Sequence, residues 1–301
     1  MPELPDIELY LHALRPRLIG HQVTAVRIAA PFLVRTVDPA PDAMVGRRVT
    51  AVGRLGKRLV IDAEGVAMVL HLMIAGRLRW RPPAAAIPRR LGLAALDVAS
   101  GALIVTEAGT TRRASLHMAR GADGVAAFDP GGLEPLAIDL AAFTERLTSE
   151  RHTLKRALTD PTLFAGIGNA YSDEILHRAG LSPMAISDTL DAAAHRRLFD
   201  AVQATLAEWR EALIAAAGDG FPEQVTAFRP GMRVHGRFGQ PCPACGAPVQ
   251  RIRYAANEAN YCPGCQTGGR LLADRGLSRL LKGDWPRTVE QLEQHMQARR
   301  R

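Results

Sequence analysis

The sequence predicts an α+β protein with a strand-rich first part, a helical second part and a small cysteine-rich module. Two changes in hydrophobic periodicity support this prediction. Short alternating apolar runs dominate up to about residue 105, whereas apolar residues recur at helical spacing beyond a Pro/Gly-rich break at 129–135. The length of 301 residues fits two domains, and a composition of 47% hydrophobic and 23% charged residues excludes a disordered chain.

The first predicted element is a helix over residues 7–18, where leucine and isoleucine recur at helical spacing ahead of Gly20, a typical helix stop. Short apolar runs separated by Gly, Pro and charged residues then predict the strands of an antiparallel sheet. These runs cover residues 23–28, 49–52, 59–62, 66–73, 93–98 and 103–106.

Helices are predicted after the break. The turn from Gly166 to Asn169 opens a helix that ends at Gly180. An apolar stripe from Leu198 to Leu213 indicates a further helix, and residues 289–299 a short final one. We therefore expect four segments, with the boundaries 1–130, 131–232, 233–268 and 269–301.

The chain is basic, with 38 Lys and Arg against 30 Asp and Glu and a net charge of +8. The excess lies in two blocks, because residues 1–130 carry +6, residues 131–220 carry −5 and residues 221–301 carry +7. This distribution favours a polyanionic partner. A GC-rich coding bias accounts for the scarcity of lysine, so the positions that keep it are candidates for a specific role. These positions are Lys57, Lys155 and Lys282.

Neither a membrane span nor a secretory signal is predicted. The longest apolar stretch, residues 66–75, is interrupted by His71 and is about half as long as a spanning helix. The first residues, MPELPDIE, are acidic and contain two prolines, unlike a signal peptide. We expect a cytoplasmic protein without membrane contacts.

All four cysteines lie within 24 residues, as two C-x2-C pairs separated by 16 residues: Cys242, Cys245, Cys262 and Cys265. Disulfides are disfavoured in a reducing cytosol, whereas two such pairs offer four thiolates to a tetrahedral Zn²⁺. The alternative is four unrelated thiols. We predict one structural zinc ion per chain, a type of site that serves many functions.

The N-terminus is the first candidate for chemistry. Removal of the initiator methionine, which a small second residue allows, leaves the secondary amine of Pro2. An α-amine has a pKa of about 7.7–8.0, so part of it is an uncharged nucleophile near neutrality, and its attack on a sugar C1′ gives an iminium ion. Glu3 can supply or remove the proton that this step needs. Alternatively, these two residues simply begin the chain.

Six motifs occur together in order along residues 2–268. They are MPELPDIE at the start, RLGKRLV around Lys57, HLMIAGRL from His71, LKRALTD around Lys155, GIGNAYSDE around Asn169, and the cysteine module. This combination resembles the formamidopyrimidine-DNA glycosylase / endonuclease VIII family of base-excision repair enzymes. The resemblance implies an N-terminal β-sandwich with a flanking helix, a helix-two-turn-helix domain and a zinc-bound β-hairpin finger. It also implies a monomer that binds damaged DNA and is associated with the bacterial nucleoid.

The resemblance assigns roles to three catalytic residues. Pro2 displaces the damaged base and forms a Schiff base with C1′ of the deoxyribose, and Glu3 is the general acid. Lys57 contacts a DNA phosphate and assists β-elimination; the alternative is an exposed strand lysine.

The implied DNA-binding residues are His71, Arg113, Lys155, Asn169 and Asn257. A lone histidine in an apolar segment is as easily a core residue, so both interpretations of His71 stay open. Asn169 opens a helix whose amides suit a phosphate oxygen, and an N-cap role is compatible with that. Lys155 corresponds to a family lysine near the lesion pocket and the DNA backbone.

Two departures from the family pattern concern DNA contacts. Asn257 stands at the hairpin tip in place of an arginine that grips phosphate and aids δ-elimination, and a neutral amide cannot replace a guanidinium. We therefore expect cleavage to stop more at the β-elimination product. The residues that fill the space left by an extruded base read Ile74, Arg113 and Ala114, without the family's aromatic wedge. We expect altered lesion and opposite-base choice.

Three further departures are Asp6 in place of the family's usual glutamate, PRRLGLAAL at 88–96 in place of a histidine-containing DNA contact, and 36 residues after Cys265. This tail either packs on the preceding domain or makes an extra DNA or protein contact. The resemblance implies a DNA glycosylase with AP lyase activity that removes a damaged, oxidised base and nicks the strand by β-elimination. The rival function is a non-catalytic zinc-finger protein that binds damaged or abasic DNA. The intact Pro2 and Glu3, together with Lys57, argue against it.

Overall fold

The computed structural model describes residues 1–109, 111–226, 228–254, 257–273 and 286–298, with the backbone alone at 254, 257, 293 and 295–298. The chain folds into two compact units. Unit 1 comprises Met1–Gly132 and Glu208–Ala227, and unit 2 comprises Leu133–Ala207 and Phe228–Arg301. Among the described residues, no helix has the length and apolar character that crossing a membrane requires.

Unit 1 begins with helix α1 (Leu4–Leu18), which starts three residues before the predicted helix. A reciprocal capping box explains this early start. The Glu3 side chain accepts the backbone N–H of Asp6, and the Asp6 carboxylate accepts the N–H of Glu3 at 2.9 Å. The helix ends before Gly20, which adopts a left-handed φ of +84°.

Two four-stranded antiparallel sheets follow α1. The sheet with strand order β1-β6-β7-β5 contains β1 (Val23–Ile28), β5 (Gly76–Arg81), β6 (Gly92–Val98) and β7 (Gly101–Glu107). The other, with order β2-β3-β4-β8, contains β2 (Val49–Leu55), β3 (Arg58–Ala63), β4 (Val66–His71) and β8 (Ser115–Arg120). One hydrophobic core includes residues from both sheets and from α1, so the predicted β-sandwich with a flanking helix is confirmed.

Strand β4 is buried on both faces, which explains its continuous apolar sequence. Met68 and Leu70 belong to the core shared by the two sheets. Ala67 and Val69 lie on the opposite face, in a small cluster that Phe128 covers. Phe128 follows the short helix α2 (Gly121–Ala126), so this helix closes the outer side of the sheet.

Strands β5 and β8 were not predicted from the sequence. In β5 an arginine occupies every second position, and only the intervening residues, such as Leu78, face the core. Arg79 and Arg81 both pair with Glu223, which lies in the second stretch of unit 1, Glu208–Ala227. In sequence, such alternating charged residues look like a solvated loop, because their pairing with a distant acidic residue is not visible. This explains why β5 was not predicted.

The remaining helices are α3 (Leu140–Thr148), α4 (Leu154–Thr159), α5 (Asn169–Ala179), α6 (Ala192–Ala217), α7 (Pro263–Thr267) and α8 (Val289–Ala298). Residues 208–217 of α6 group with unit 1 and the other helices lie in unit 2. The four predicted segment boundaries stay a prediction.

Helix α3 is fixed by a cap and by aromatic packing. Asp139 caps α3 with a 2.9 Å bond to the N–H of Ala142, and Phe143 packs between Phe164 and Phe199 at ring distances of 4.9 and 5.5 Å.

Unit 2 also contains a β-hairpin of β9 (Gln250–Tyr254) and β10 (Asn257–Tyr261). Glu174, on α5, fixes the segment before the hairpin. Its carboxylate accepts the backbone N–H groups of Arg233, Val234 and His235 at 2.7–2.9 Å. Glu174 is 4% exposed, so these are buried, charge-assisted hydrogen bonds.

Replacement of Glu174 tests the importance of this contact for folding. We expect Glu174→Ala to lower the free energy of unfolding by about 3 kcal/mol, since buried amides lose a charged acceptor. Glu174→Gln keeps one acceptor oxygen and should lose less. Urea denaturation followed by circular dichroism measures both, with the exposed Glu145 of α3 as a control whose alanine variant stays within about 0.5 kcal/mol of wild type. Equal stability of the Glu174→Ala and Glu145→Ala proteins would contradict the assignment.

Candidate functional site

The N-terminus of unit 1 is held against the sheet by polar contacts of α1. Arg54 of β2 donates to Glu8 at 2.7 Å, and the side chain of Arg15 donates to the carbonyl of Val52 at 3.2 Å. The hydroxyl of Tyr10 accepts the backbone N–H of Leu78 at 3.3 Å. These contacts fix the start of the chain relative to strands β2 and β5.

The α-amine at this start is electrostatically unusual. Burial lowers the pKa of the Met1 amine, the carboxylate of Glu3 opposes that effect, and the guanidinium of Arg77 adds to it. Two smaller effects act on the same amine: the carboxylate of Asp6 raises its pKa and the ammonium group of Lys57 lowers it. Pro2, the predicted nucleophile, is itself buried directly behind Met1. These surroundings therefore favour the uncharged form of the Met1 amine.

Glu3, the predicted general acid, lies at this terminus and is 2% exposed. Its backbone N–H and its side chain both belong to the capping box with Asp6, which is fully buried. Asp6 thus orients Glu3, a role that the sequence interpretation missed. The three-residue spacing between the two acids at the start of a helix was the signal that could have revealed it.

Lys57 lies in the two-residue turn between β2 and β3, after Gly56 with its left-handed φ of +54°. The turn is half-buried, so Lys57 is a turn residue beside the terminal amine and not a surface residue within a strand. His71, the last residue of β4, is partly exposed and pairs in register with Arg58. Burial, followed by the charges of Arg58 and Lys57, lowers the pKa of His71 to about 4. The imidazole is therefore neutral at physiological pH.

The residues at the predicted wedge positions differ in exposure. Ile74 is 65% exposed and follows Met73, which adopts a left-handed φ of +52°. Arg113 is exposed, and its backbone N–H donates to Glu107 at 2.9 Å. Ala114 is fully buried and cannot enter a DNA duplex. Ile74 and Arg113 therefore remain the candidates for filling the space of an extruded base.

In unit 2, Lys155 is 7% exposed and its ammonium group has three oxygen partners. These are the carbonyl of Asn169 at 2.6 Å, the hydroxyl of Ser172 at 2.8 Å and the carboxylate of Asp173 at 2.5 Å. All three lie in the first turns of α5, so Lys155 stabilises the start of that helix through hydrogen bonds. A DNA contact by Lys155 stays a prediction, and these bonds favour an indirect effect through α5.

Asn169 is the first residue of α5, and Gly168 is the N-cap. The interpretation of Asn169 as the cap residue is therefore wrong, because an asparagine at the first helical position no longer has cap geometry. Its half-buried side chain lies at the positive end of the helix dipole. Its contact with phosphate stays a prediction.

Asp173 connects α5 to the hairpin. Its second carboxylate oxygen contacts the Nδ1 atom of His235 at 2.8 Å and accepts a bond from the Asn260 side chain at 3.1 Å. The sequence interpretation did not identify this buried network. Adjacent acidic residues, Asp173 and Glu174, between the apolar residues of a helix were the available signal.

The four cysteine sulfurs are brought together as predicted. Cys242 and Cys265 lie 3.9 Å apart, Cys245 and Cys262 lie 3.3 Å apart, and all four are free of disulfides. A backbone hydrogen bond from Ala247 lowers the pKa of the exposed Cys245. Burial raises the pKa of Cys262 to about 11 and also raises that of Cys265, so these thiols need a cation to ionise near neutrality. The donor set fits a thiophilic, tetrahedral metal ion.

A histidine that was not predicted lies at this centre. His177 of α5 places Nε2 3.3 Å from the sulfur of Cys242. The candidate ligand atoms of His177, Cys242, Cys262 and Cys265 all lie within 4.8 Å of one another. No spacing rule connects a helix residue to cysteines 65 or more positions later, so the sequence offered no signal for it.

Two predictions fall partly or wholly outside the described residues. Asn257 is the first residue of β10 and pairs in register with Tyr254, but its side chain lies outside the described part of the chain. In the tail, Leu271 donates its N–H to the carbonyl of Arg287 at 2.9 Å, and α8 follows. Trp285 and residues 299–301 lie outside the described residues.

Three family models match successive parts of the chain. The formamidopyrimidine-DNA glycosylase N-terminal domain matches residues 1–112, the H2TH domain of the same enzymes matches residues 132–216, and a zinc finger found in FPG and IleRS matches residues 239–268. The predicted helix-two-turn-helix and finger segments thus each contain a match to a domain that occurs in these enzymes.

Curated proteins and solved structures match most or about half of the chain. A Heliobacterium modesticaldum protein named formamidopyrimidine-DNA glycosylase is 33% identical over 291 residues, covering 88% of this chain and 100% of that protein. An uncharacterised formamidopyrimidine-DNA glycosylase-like protein of Mycobacterium tuberculosis is 42% identical over 156 residues, covering 52% of this chain and 95% of that protein. A Lactococcus lactis FPG variant in complex with DNA containing Fapy-dG matches with a TM-score of 0.76 at 25% identity, covering 88% and 100% of the two chains.

The neutral state of His71 can be tested by titration. In the folded protein, we expect its ring protons to titrate near pH 4 in NMR spectra, against about 6.5 for an unperturbed histidine. Because the unfolded chain binds this proton first, the stabilising contribution is complete above pH 6.5 and decreases as the pH falls towards 4. His71→Gln should weaken the decrease of unfolding free energy over this window. An unchanged pH dependence in His71→Gln would contradict the assignment.

Proposed function

The chain belongs to the formamidopyrimidine-DNA glycosylase family, and from this membership we propose that it excises a damaged base from DNA and cleaves the strand at the resulting abasic site. The observation that carries the proposal is the buried start of the chain, where Pro2 precedes Glu3 and the capping box with Asp6 holds Glu3 in place. Burial lowers the pKa of the Met1 α-amine that precedes Pro2, with Arg77 and Lys57 adding to this effect and Glu3 opposing it. A binding protein has no need of such an amine, whereas a lyase that forms a Schiff base requires one.

The first step uses the amine of Pro2 after removal of Met1. The nitrogen lone pair forms a bond to C1′, and the glycosidic bond breaks with its electron pair leaving on the base, which takes up a proton. The resulting ammonium nitrogen loses its N–H proton, which balances the proton taken up by the base. Its lone pair then expels the ring oxygen O4′ from C1′, and a proton donor converts that oxygen to a hydroxyl. Glu3 is the candidate donor, since it is the buried acid next to the nucleophile. The product is an iminium ion at C1′.

The second step breaks the DNA strand. The iminium ion acidifies the C2′ proton, a base removes it, and the 3′ phosphate leaves with the electron pair of its C–O bond. Lys57, in the turn beside the terminal amine, is the candidate to contact that phosphate and stabilise its negative charge. A cationic group is needed here, and the neutral His71 is suited instead to donate a hydrogen bond to the DNA backbone.

The lesion that the site selects is proposed to be an oxidised purine. The PELP sequence at the terminus resembles the family's oxidised-purine branch more than its pyrimidine branch, and relatives that match 88% of the chain are named formamidopyrimidine-DNA glycosylase. The exposed aliphatic Ile74 and the exposed Arg113, without an aromatic wedge, support an opposite-base preference that differs from theirs. Flipping the base out of the duplex costs a few kcal/mol of stacking and pairing free energy, and this cost is lowest for a damaged or mismatched base pair.

The cysteine module is proposed to hold one structural Zn²⁺ in a monomeric, cytoplasmic enzyme. The four thiols present, Cys242, Cys245, Cys262 and Cys265, fit this ion. When bound, the ion stabilises the fold of the hairpin module and takes no part in the reaction.

Borohydride trapping on a duplex with an abasic site tests the proposed chemistry. We expect the unmodified protein to form a covalent adduct, because the reductant fixes the iminium ion. Pro2→Gly should give much less adduct and an N-terminally extended protein none. The yield should rise with pH as the amine of Pro2 loses its proton, because the uncharged form reacts.

Binding to an uncleavable abasic-site analogue is the control for this experiment. Both altered proteins should bind it like wild type. No adduct from the unmodified protein, with binding intact, would support the rival function, a non-catalytic zinc-finger protein that recognises damaged or abasic DNA.

The product of strand cleavage tests the departure at Asn257. We expect the wild-type protein to stop predominantly at the β-elimination product, since an amide cannot grip the second phosphate as a guanidinium does. Asn257→Arg should raise the fraction of δ product, and Asn257→Gln should not. Gel analysis of an end-labelled duplex with an abasic site separates the two products. Predominant δ product from the wild type would contradict the expectation.

A further inference from the structure

We propose that His177 is a positioning residue of the metal centre, which donates an N–H···S hydrogen bond from Nε2 to the sulfur of Cys242. The Nε2 atom lies 3.3 Å from that sulfur, within hydrogen-bonding distance for this acceptor. His177 is 5% exposed and lies near the C-terminal end of α5, outside the segment that carries the cysteines. The proposal assumes that the module binds a metal ion and does not depend on the glycosylase reaction.

The environment of the second ring nitrogen decides between a hydrogen-bond donor and a metal ligand. Among the described residues, Nδ1 of His177 is buried without a hydrogen-bond partner. A neutral imidazole carries one proton, and a buried N–H without an acceptor costs about 1–3 kcal/mol. The proton therefore lies on Nε2, where Cys242 accepts it.

This tautomer excludes Nε2 as a metal ligand, because its lone pair is no longer available. A ligating histidine almost always donates its other N–H to a carbonyl, a carboxylate or water. Nδ1 has no carbonyl or carboxylate acceptor among the described residues. Although His177 lies as close to the sulfurs as a fourth ligand could, the geometry assigns it to the outer layer of the centre.

The charge of the centre explains what this bond contributes. Four thiolates around a divalent cation leave a net charge of about −2, which burial penalises. Backbone N–H groups offset part of it, since Ala244 donates to Cys242 and Cys265 donates to Cys262, both at 3.4 Å. These donors belong to the cysteine segment itself. The bond from His177 adds a further donor at Cys242 and ties the metal centre to α5.

Metal retention in three variants tests the proposal. His177→Phe keeps a ring of similar size but removes the donor, whereas His177→Gln can restore a donor at the Nε2 position. We expect the phenylalanine variant to release Zn²⁺ to a chromogenic chelator about 10–100-fold faster, with substantial recovery in the glutamine variant. His195→Phe is the matched control, because that histidine of α6 contacts the carbonyl of Ser187. It should release zinc like wild type.

Replacement of zinc by Co²⁺ provides a second readout that does not require enzymatic activity. We expect the absorption spectrum of a tetrahedral four-thiolate site in wild type and in both His177 variants. Unchanged zinc release in His177→Phe would overturn the proposal. A wild-type spectrum of three sulfurs and one nitrogen that is lost in His177→Phe would also overturn it, because it would make His177 a ligand. Circular dichroism of the zinc-loaded proteins checks that each variant folds.

Discussion

The buried capping box of Glu3 and Asp6 is the constraint on which the candidate active site depends. It makes α1 begin one residue after Glu3, so the terminal amine can move little relative to the helix. The helix in turn is fixed to the sheet by Arg54 and Tyr10. A nucleophile at a free chain end would otherwise be disordered, and a displacement of about 1 Å can cost a hundredfold in rate. Helix capping, which normally stabilises a helix, here fixes the position of the amine that is proposed to react.

A comparable role in unit 2 belongs to α5. Asp173 and Glu174 connect this helix to the hairpin and to the segment before it, and Lys155 neutralises its buried acidic turn. Near the other end of the helix, His177 reaches the cysteine module. Such contacts are directional, and a partner out of place leaves a buried charge unpaired. The helix that begins at Asn169 therefore specifies where the hairpin and the metal centre lie.

Much of this organisation could be predicted from the sequence, because it rests on local patterns. Regular apolar spacing predicted α1 and α6, and the four-cysteine spacing predicted a cluster that the structure brings together. Strand β5 was missed because its arginines find an acidic partner, Glu223, far along the chain. His177 was missed for the same reason, since its partner lies 65 residues away. Polar groups that satisfy one another over long sequence distances leave no periodic signal.

The electrostatics of unit 1 link substrate attraction to the state of the nucleophile. Lys57, Arg58 and Arg77 create a positive field that attracts phosphate and also lowers the pKa values of the terminal amine and of His71. The approach of DNA brings negative charge, which by itself would raise those pKa values again. Burial, however, is the largest cause of both shifts, and a bound duplex excludes still more water. Desolvation can therefore keep the amine uncharged after phosphate has partly neutralised the cations, so attraction of the polyanion and reactivity of the amine are compatible in one pocket.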